Sequence, residues 1–206
     1  MQDAEHREDM SEARRRVLDA ANALFVEHGF KAVSMQQIAN VAQINKATLY
    51  HHFRSKEDLF AAVVLDATAQ SRDDVARAIS QGGTPAEQLA RAAMQLFARA
   101  RSDFGRLMTD VHEQIEPEVR NRILSEQAML WELFREVFLD AARAGDLPEM
   151  DTDLAVSMFI GTVWGQLWMR KIEVIETPLD EDLAVSIVNV LFSGFRATFA
   201  PAPSVA

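Results

Sequence analysis

Four short stretches of this sequence open in the same way: Ser34-Met-Gln-Gln37, Ser55-Lys-Glu-Asp58, Thr84-Pro-Ala-Glu87 and Thr177-Pro-Leu-Asp180. In each, a small hydroxyl side chain can accept from an early helical amide while the polar residue three positions on reaches back toward the helix start, the reciprocal arrangement of a capping box. The last two place proline at the first helical position, where its missing N–H costs no hydrogen bond. Apolar residues then recur at spacings of three and four, and no stretch sustains the period-two alternation of strands between hairpin turns. Repeated helix starts without a strand pattern restrict the chain to an all-α fold. The pattern predicts nine helices, over 11–28, 35–42, 46–52, 56–80, 86–101, 104–112, 117–144, 152–172 and 179–199, with Gly29 and Gly145 as helix stops. The first ten residues and the PAPSVA tail are expected to be loose.

At 206 residues and 49% hydrophobic, the chain can bury a substantial core. It has no cysteine, so disulfide scaffolds, thiolate nucleophiles and cysteine-ligated zinc are excluded. The polar start MQDAEHREDM is not the apolar segment of a signal peptide, and a cytoplasmic location is expected. One uncharged run, Leu154 to Met169, is 16 residues long, short of the roughly 20 that cross a bilayer. Ser157, Thr162 and Gln166 interrupt it, so it reads as a buried soluble helix, and no membrane is expected as a partner.

Charge is distributed unevenly. The first 60 residues hold 8 Lys+Arg against 9 Asp+Glu, whereas the other 146 hold 13 against 22. From His28 to Lys56 there is no acid at all, while Lys31, Lys46, Arg54 and Lys56 are present. A net charge of −10 argues against a protein that coats nucleic acid through bulk charge, but it leaves room for a local site on a positioned element. That region also has a distinctive rhythm, because the second and third predicted helices are short and only a few residues separate them, which is helix-turn-helix spacing. Ile38, Ala39, Ala42, Ile44 and Leu49 can pack this pair on the first helix through Leu18, Ala21 and Phe25. With Leu49 and Phe53 turned inward, Lys46, Ala47, Tyr50 and His51 face outward.

Those outward positions suit duplex DNA. A helix in the major groove reads base edges near its N-terminus and grips phosphates with flanking groups. Lys46 can reach guanine acceptors and Ala47 a thymine methyl. Tyr50 and His51 can bond phosphate oxygens, and Lys56 can reach another phosphate at the start of the fourth helix. Any carboxylate on this face would meet those phosphates, which accounts for the acid-free stretch.

The run SMQQIANVAQINKATLYHHFRSKEDL, residues 34–59, resembles the DNA-binding signature of the tetracycline-repressor (TetR) family, and RRRVLDAANALFVEHGF, residues 14–30, resembles its first helix. The likeness extends over about residues 11–60. It implies an all-α homodimeric repressor with a helix-turn-helix DNA-binding domain at 1–60 and a helical effector-binding and dimerisation domain at 61–206. Its partners would be double-stranded operator DNA and a small-molecule effector. By matching positions it implies Ser34, Gln36, Lys46, Ala47, Thr48, Tyr50, His51 and Lys56 as the DNA-facing set. One position departs from the pattern. The family usually has glycine in the turn where Gln43 stands, so Gln43 must tolerate the backbone there, under strain if φ is positive.

Beyond residue 60 the sequence is rich in aromatics and methionine, most of them expected in the core. Flexible methionines and broad aromatics also suit the enclosure of a mostly apolar ligand. Phe97, Met108, His112, Trp131, Phe134 and Trp164 are the candidate lining residues. His112 and Glu116 lie one turn apart, but a di-metal carboxylate bundle needs Glu-x-x-His from each of two helices, and there is no other histidine after His52. No metal or cofactor is expected. The segments LAVSMFIGTVWGQLWM and LAVSIVNVLFSGF carry no charge over more than three turns and need cover on more than one side. Gly161 and Gly165 allow close helix approach, so two copies of both helices are expected to form a four-helix interface about a two-fold axis, through Gly161, Gly165, Trp168, Val188 and Phe192. A glycine-rich phosphate loop and a GxSxG elbow are missing, so no catalysis is expected. The rival reading is a helical small-molecule-binding or interaction protein without specific DNA binding. It would carry a neutralised third helix, and Lys46, Tyr50 and Lys56 argue against it.

Overall fold

The computed structural model describes residues 2–100 and 117–199, and every regular element among them is helical. Eight helices follow in order: α1 (Gln2–His28), α2 (Met35–Val41), α3 (Lys46–His52), α4 (Lys56–Ser80), α5 (Pro85–Ala100), α6 (Pro117–Arg143), α7 (Thr152–Lys171) and α8 (Glu181–Phe199). The helix expected over 104–112 and the PAPSVA tail lie outside the described residues. Two expectations are corrected. Helix α1 starts at Gln2 rather than near 11, as a segment free of glycine and proline can. Helix α8 starts at Glu181 rather than 179, because Asp180, and not Thr177, is the cap: its Oδ1 accepts from Leu183 N at 3.0 Å.

The capping chemistry read from the sequence builds the starts of α2 and α5, and an asparagine caps α3. Ser34 Oγ accepts from Gln37 N (3.3 Å) while Gln37 Oε1 accepts from Ser34 N (2.8 Å), and Thr84 and Glu87 make the same exchange at α5. At α3, Asn45 Oδ1 accepts from Thr48 N at 2.7 Å. Each such cap contributes about 1 kcal/mol to its helix.

The chain divides into two compact units. The first comprises residues 2–69 with 117–126 of α6, and the second 70–100 with 127–199; α4 and α6 contribute to both. The core of the first unit joins Val17, Leu18, Ala21 and Phe25 of α1 to Ile38 and Ala39 of α2, Leu49 of α3, and Leu59, Phe60 and Val64 of α4. Phe25 meets Phe60 edge-on at 5.1 Å, and Phe30 lies 4.9 Å from Phe60. Leu49 is fully buried, and truncation of such a leucine to alanine costs about 2–5 kcal/mol. Packing through this one residue therefore fixes which side of α3 looks outward.

In the second unit, Phe138 of α6 sits within 6.2 Å of Phe192 and Phe195 of α8 and 6.3 Å of Phe159 of α7, and α5 packs along α8. Helix α8 is apolar and long enough to pass for a membrane span by composition. Ala184, Ile187, Val188, Leu191, Phe192 and Phe195 are buried in the core of this unit, so a core helix accounts for that composition.

Candidate nucleic-acid interface

The turn between α2 and α3 closes as a Schellman motif. Ile44 N donates to Ala39 O at 3.0 Å and Gln43 N to Asn40 O at 3.2 Å, and half-buried Ile44 packs back onto the core. This geometry needs a left-handed residue after the cap, and Gln43 supplies it at φ 55°. The strain anticipated for a non-glycine residue here is present.

The turn and Leu49 set the register of α3. Lys46, Ala47 and His51 are exposed, as is Tyr50 at 44%, and Lys46 Nζ lies 5.8 Å from the Tyr50 ring centroid. Thr48 is half-buried and its hydroxyl donates to Asn45 Oδ1 at 3.0 Å. At the start of α2, Ser34 and Gln36 are exposed, with the Gln36 amide donating to Asn40 Oδ1. The structure thus brings Lys46, Ala47, Tyr50 and His51 onto one outer face of α3, with Ser34 and Gln36 on the helix before it.

Lys56 is placed differently. It is half-buried, and its ammonium donates to Phe30 O at 2.9 Å and Val33 O at 3.0 Å, lying 4.3 Å from the Phe30 ring centroid. The surrounding helix start is closed on itself. Arg54 N donates to Asp58 Oδ2 (3.0 Å), and Asp58 N donates to Ser55 Oγ (3.1 Å). Hydrogen bonding by its own backbone amide and by Ser55 holds the Glu57 carboxyl below the usual range. Next to the outer face, His52 keeps Nε2 buried with no hydrogen-bond partner among the described residues. Burial first, then the charges of His51 and Arg14, lower its pKa. His52 and Arg14 line an open cleft of about 370 Å³, which no sequence signal marked.

Of the candidate ligand residues, Phe97 and Phe134 lie in the core of the second unit. Trp131 is half-buried, with its indole N–H directed at Asp153 Oδ1, 3.5 Å away. Trp164 is 37% exposed. Met108 and His112 lie outside the described residues. A cleft of about 390 Å³ in this unit is lined instead by Ala78, Gln81, Ala90, Arg91, Met94 and Glu181 among others; it contains none of those candidates.

Helix α7 presents an apolar strip. Leu154, Met158, Trp164 and Trp168 are exposed, and a Cβ added at Gly161 or Gly165 would meet nothing within 4 Å. Val188 and Phe192, expected on an intermolecular face, are buried at 2% and 4% exposure in the core of their own unit. The open side of α8 is carried instead by Val190, exposed at 71%, and Gly194.

The family model for bacterial regulatory proteins, tetR family, matches residues 17–63. The HTH-type transcriptional regulator UidR of Escherichia coli (strain K12) is 27% identical over 162 residues, 75% of this chain and 79% of that protein. The HTH-type transcriptional repressor KstR2 of Mycolicibacterium smegmatis is 26% identical over 161 residues, 73% of this chain and 76% of its own length. Among solved structures, the transcriptional regulator FadR of Bacillus subtilis in complex with stearoyl-CoA shares the fold, with a TM-score of 0.73 at 22% identity over 87% of this chain and 98% of that one.

Proposed function

Because this chain belongs to the TetR family of bacterial regulatory proteins, we propose that it is a ligand-responsive repressor that binds operator DNA as a homodimer and releases it when a mostly apolar effector binds. The observation that carries this reading is the outer face of α3. Lys46, Ala47, Tyr50 and His51 are exposed together in a stretch with no acid from His28 to Lys56. On this reading Ser34, Gln36 and Thr48 support the face, Lys56 closes the set, and residues 1–60 form the DNA-binding domain. Residues 61–206 bind effector and dimerise, the protein works in the cytoplasm, and its role is regulatory rather than enzymatic.

The uncovered strip of α7, with Gly161, Gly165 and Trp168, and the open side of α8 favour association of two copies. The stearoyl-CoA held by FadR favours an effector with a long apolar part. Selection of purified protein against a random duplex library tests the reading. One half-site motif should be enriched, and its affinity should fall steeply with salt as phosphate contacts release counterions. Enrichment of no sequence would instead favour a helical binding protein that does not read DNA.

A further inference from the structure

Lys56 is the first residue of α4, yet its ammonium is spent inside the protein. Its two carbonyl partners, Phe30 and Val33, stand 26 and 23 residues earlier, in the segment joining α1 to α2. Carbonyls between two helices lack intrahelical donors, and a charged donor is among the stronger partners available to them. The ring of Phe30 beneath the ammonium adds a cation–π contact at 4.3 Å. Phe30 itself packs against both Phe25 and Phe60.

A second, independent observation concerns the surroundings. Glu57 and Asp58 are exposed in the same turn, and Asp58 and Ser55 occupy local amides. A phosphate approaching Lys56 would meet two carboxylates and few open donors. The geometry points to Lys56 as a positioning residue: it straps the start of α4 to the α1–α2 connection, and so fixes the seat of α2 and α3, without touching DNA. This rests on the DNA-binding reading above and changes what one member of the proposed set does in it. It also gives α4, the helix that contributes to both units, a fixed attachment at its first turn.

Two substitutions in the full chain test the strap, Lys56→Met and Lys56→Arg. Without DNA, backbone amide exchange over residues 30–36 should quicken about tenfold or more in Lys56→Met, since two charge-assisted hydrogen bonds are lost. With the selected duplex, affinity should fall about tenfold or more while the slope of log affinity against log salt stays at the parent value. A direct phosphate contact predicts the reverse: unchanged exchange, and a slope flatter by about 0.9. Lys56→Arg keeps the charge but cannot aim one nitrogen at both carbonyls in the same way, so it should bind several-fold more weakly with an unchanged slope, whereas a phosphate contact would leave it parent-like. The arginine variant decides the matter even if Lys56→Met does not fold. Parent-like exchange in both variants, or a flattened slope, overturns the strap. A parent protein that selects no duplex defeats the DNA-binding reading, and the exchange measurement still judges the strap.

Discussion

Gln43 is the best place to test the backbone of the helix-turn-helix, because its side chain is exposed and replacing it acts through backbone conformation, in the folded and the unfolded chain, rather than through packing. At φ 55° it occupies the left-handed region, where an L side chain costs about 1–2 kcal/mol relative to the right-handed conformation. Gln43→Gly removes that cost but loses about 0.5–1 kcal/mol through the greater freedom of glycine in the unfolded chain. The net expectation is a stabilisation of about 0.5–1 kcal/mol, equivalent to roughly two- to fivefold in the opening equilibrium. All three tryptophans lie at or beyond residue 131, so indole fluorescence does not sense the first unit. The suitable assay is native-state amide exchange at core positions such as Ile38 and Leu49, whose openings should become about two- to fivefold rarer. Gln43→Val, β-branched and poorly tolerated at positive φ, should make them more frequent. A Gly variant that is less protected, or a Val variant that matches the parent, would refute the left-handed turn. Glu173, at φ 58° after α7, offers the same test in the second unit, where tryptophan fluorescence can follow it.

Lys46→Ala should relax preference at one base position by roughly 1–3 kcal/mol, measured by competition binding across single-base operator variants; uniform weakening at every position would mean that Lys46 touches phosphate only. His52 is held below the ordinary histidine pKa by burial, His51 and Arg14. The unfolded chain therefore takes up its proton first as pH falls below about 6.5, and stability should decline from there toward the lower folded value and then level off. His52→Gln should flatten that part of a stability–pH curve, and an unchanged curve would assign the titration elsewhere. Gly165→Leu has open space around it in the protomer and raises helix propensity by about 0.5–1 kcal/mol. Light scattering should nevertheless show weakened dimers and binding assays reduced operator affinity; unaltered dimerisation would place the interface on another surface.

Helix starts were legible where a single good cap stood alone. Ser34 and Ser55 located α2 and α4 to the residue, whereas Thr177 and Asp180 compete before α8 and only the structure shows that the aspartate is used. The outer face of α3 was legible because Leu49 and Phe53 are apolar and the residues opposite them are not. On α8 that contrast fails. When every side of a helix is apolar, periodicity does not reveal which stripe belongs to its own core, and so the pattern points Val188 and Phe192 outward although they face inward. The partners of Lys56 were beyond any local pattern, since they depend on a contact closed over more than twenty residues.

Tyr50 is the sole tyrosine of the chain, cysteine is wholly absent, and the phenol stands on the outer face of α3 at 44% exposure. Tyrosine-selective reagents such as tetranitromethane would thus mark one ring, on the recognition helix, in the unmodified protein. The extent to which a duplex shields that ring from nitration would report how the helix is seated, with no residue replaced and no label introduced. A single cysteine placed anywhere else would be equally unambiguous, and capping its thiol before nitration, since tetranitromethane also oxidises free thiols, lets one molecule carry two chemical handles.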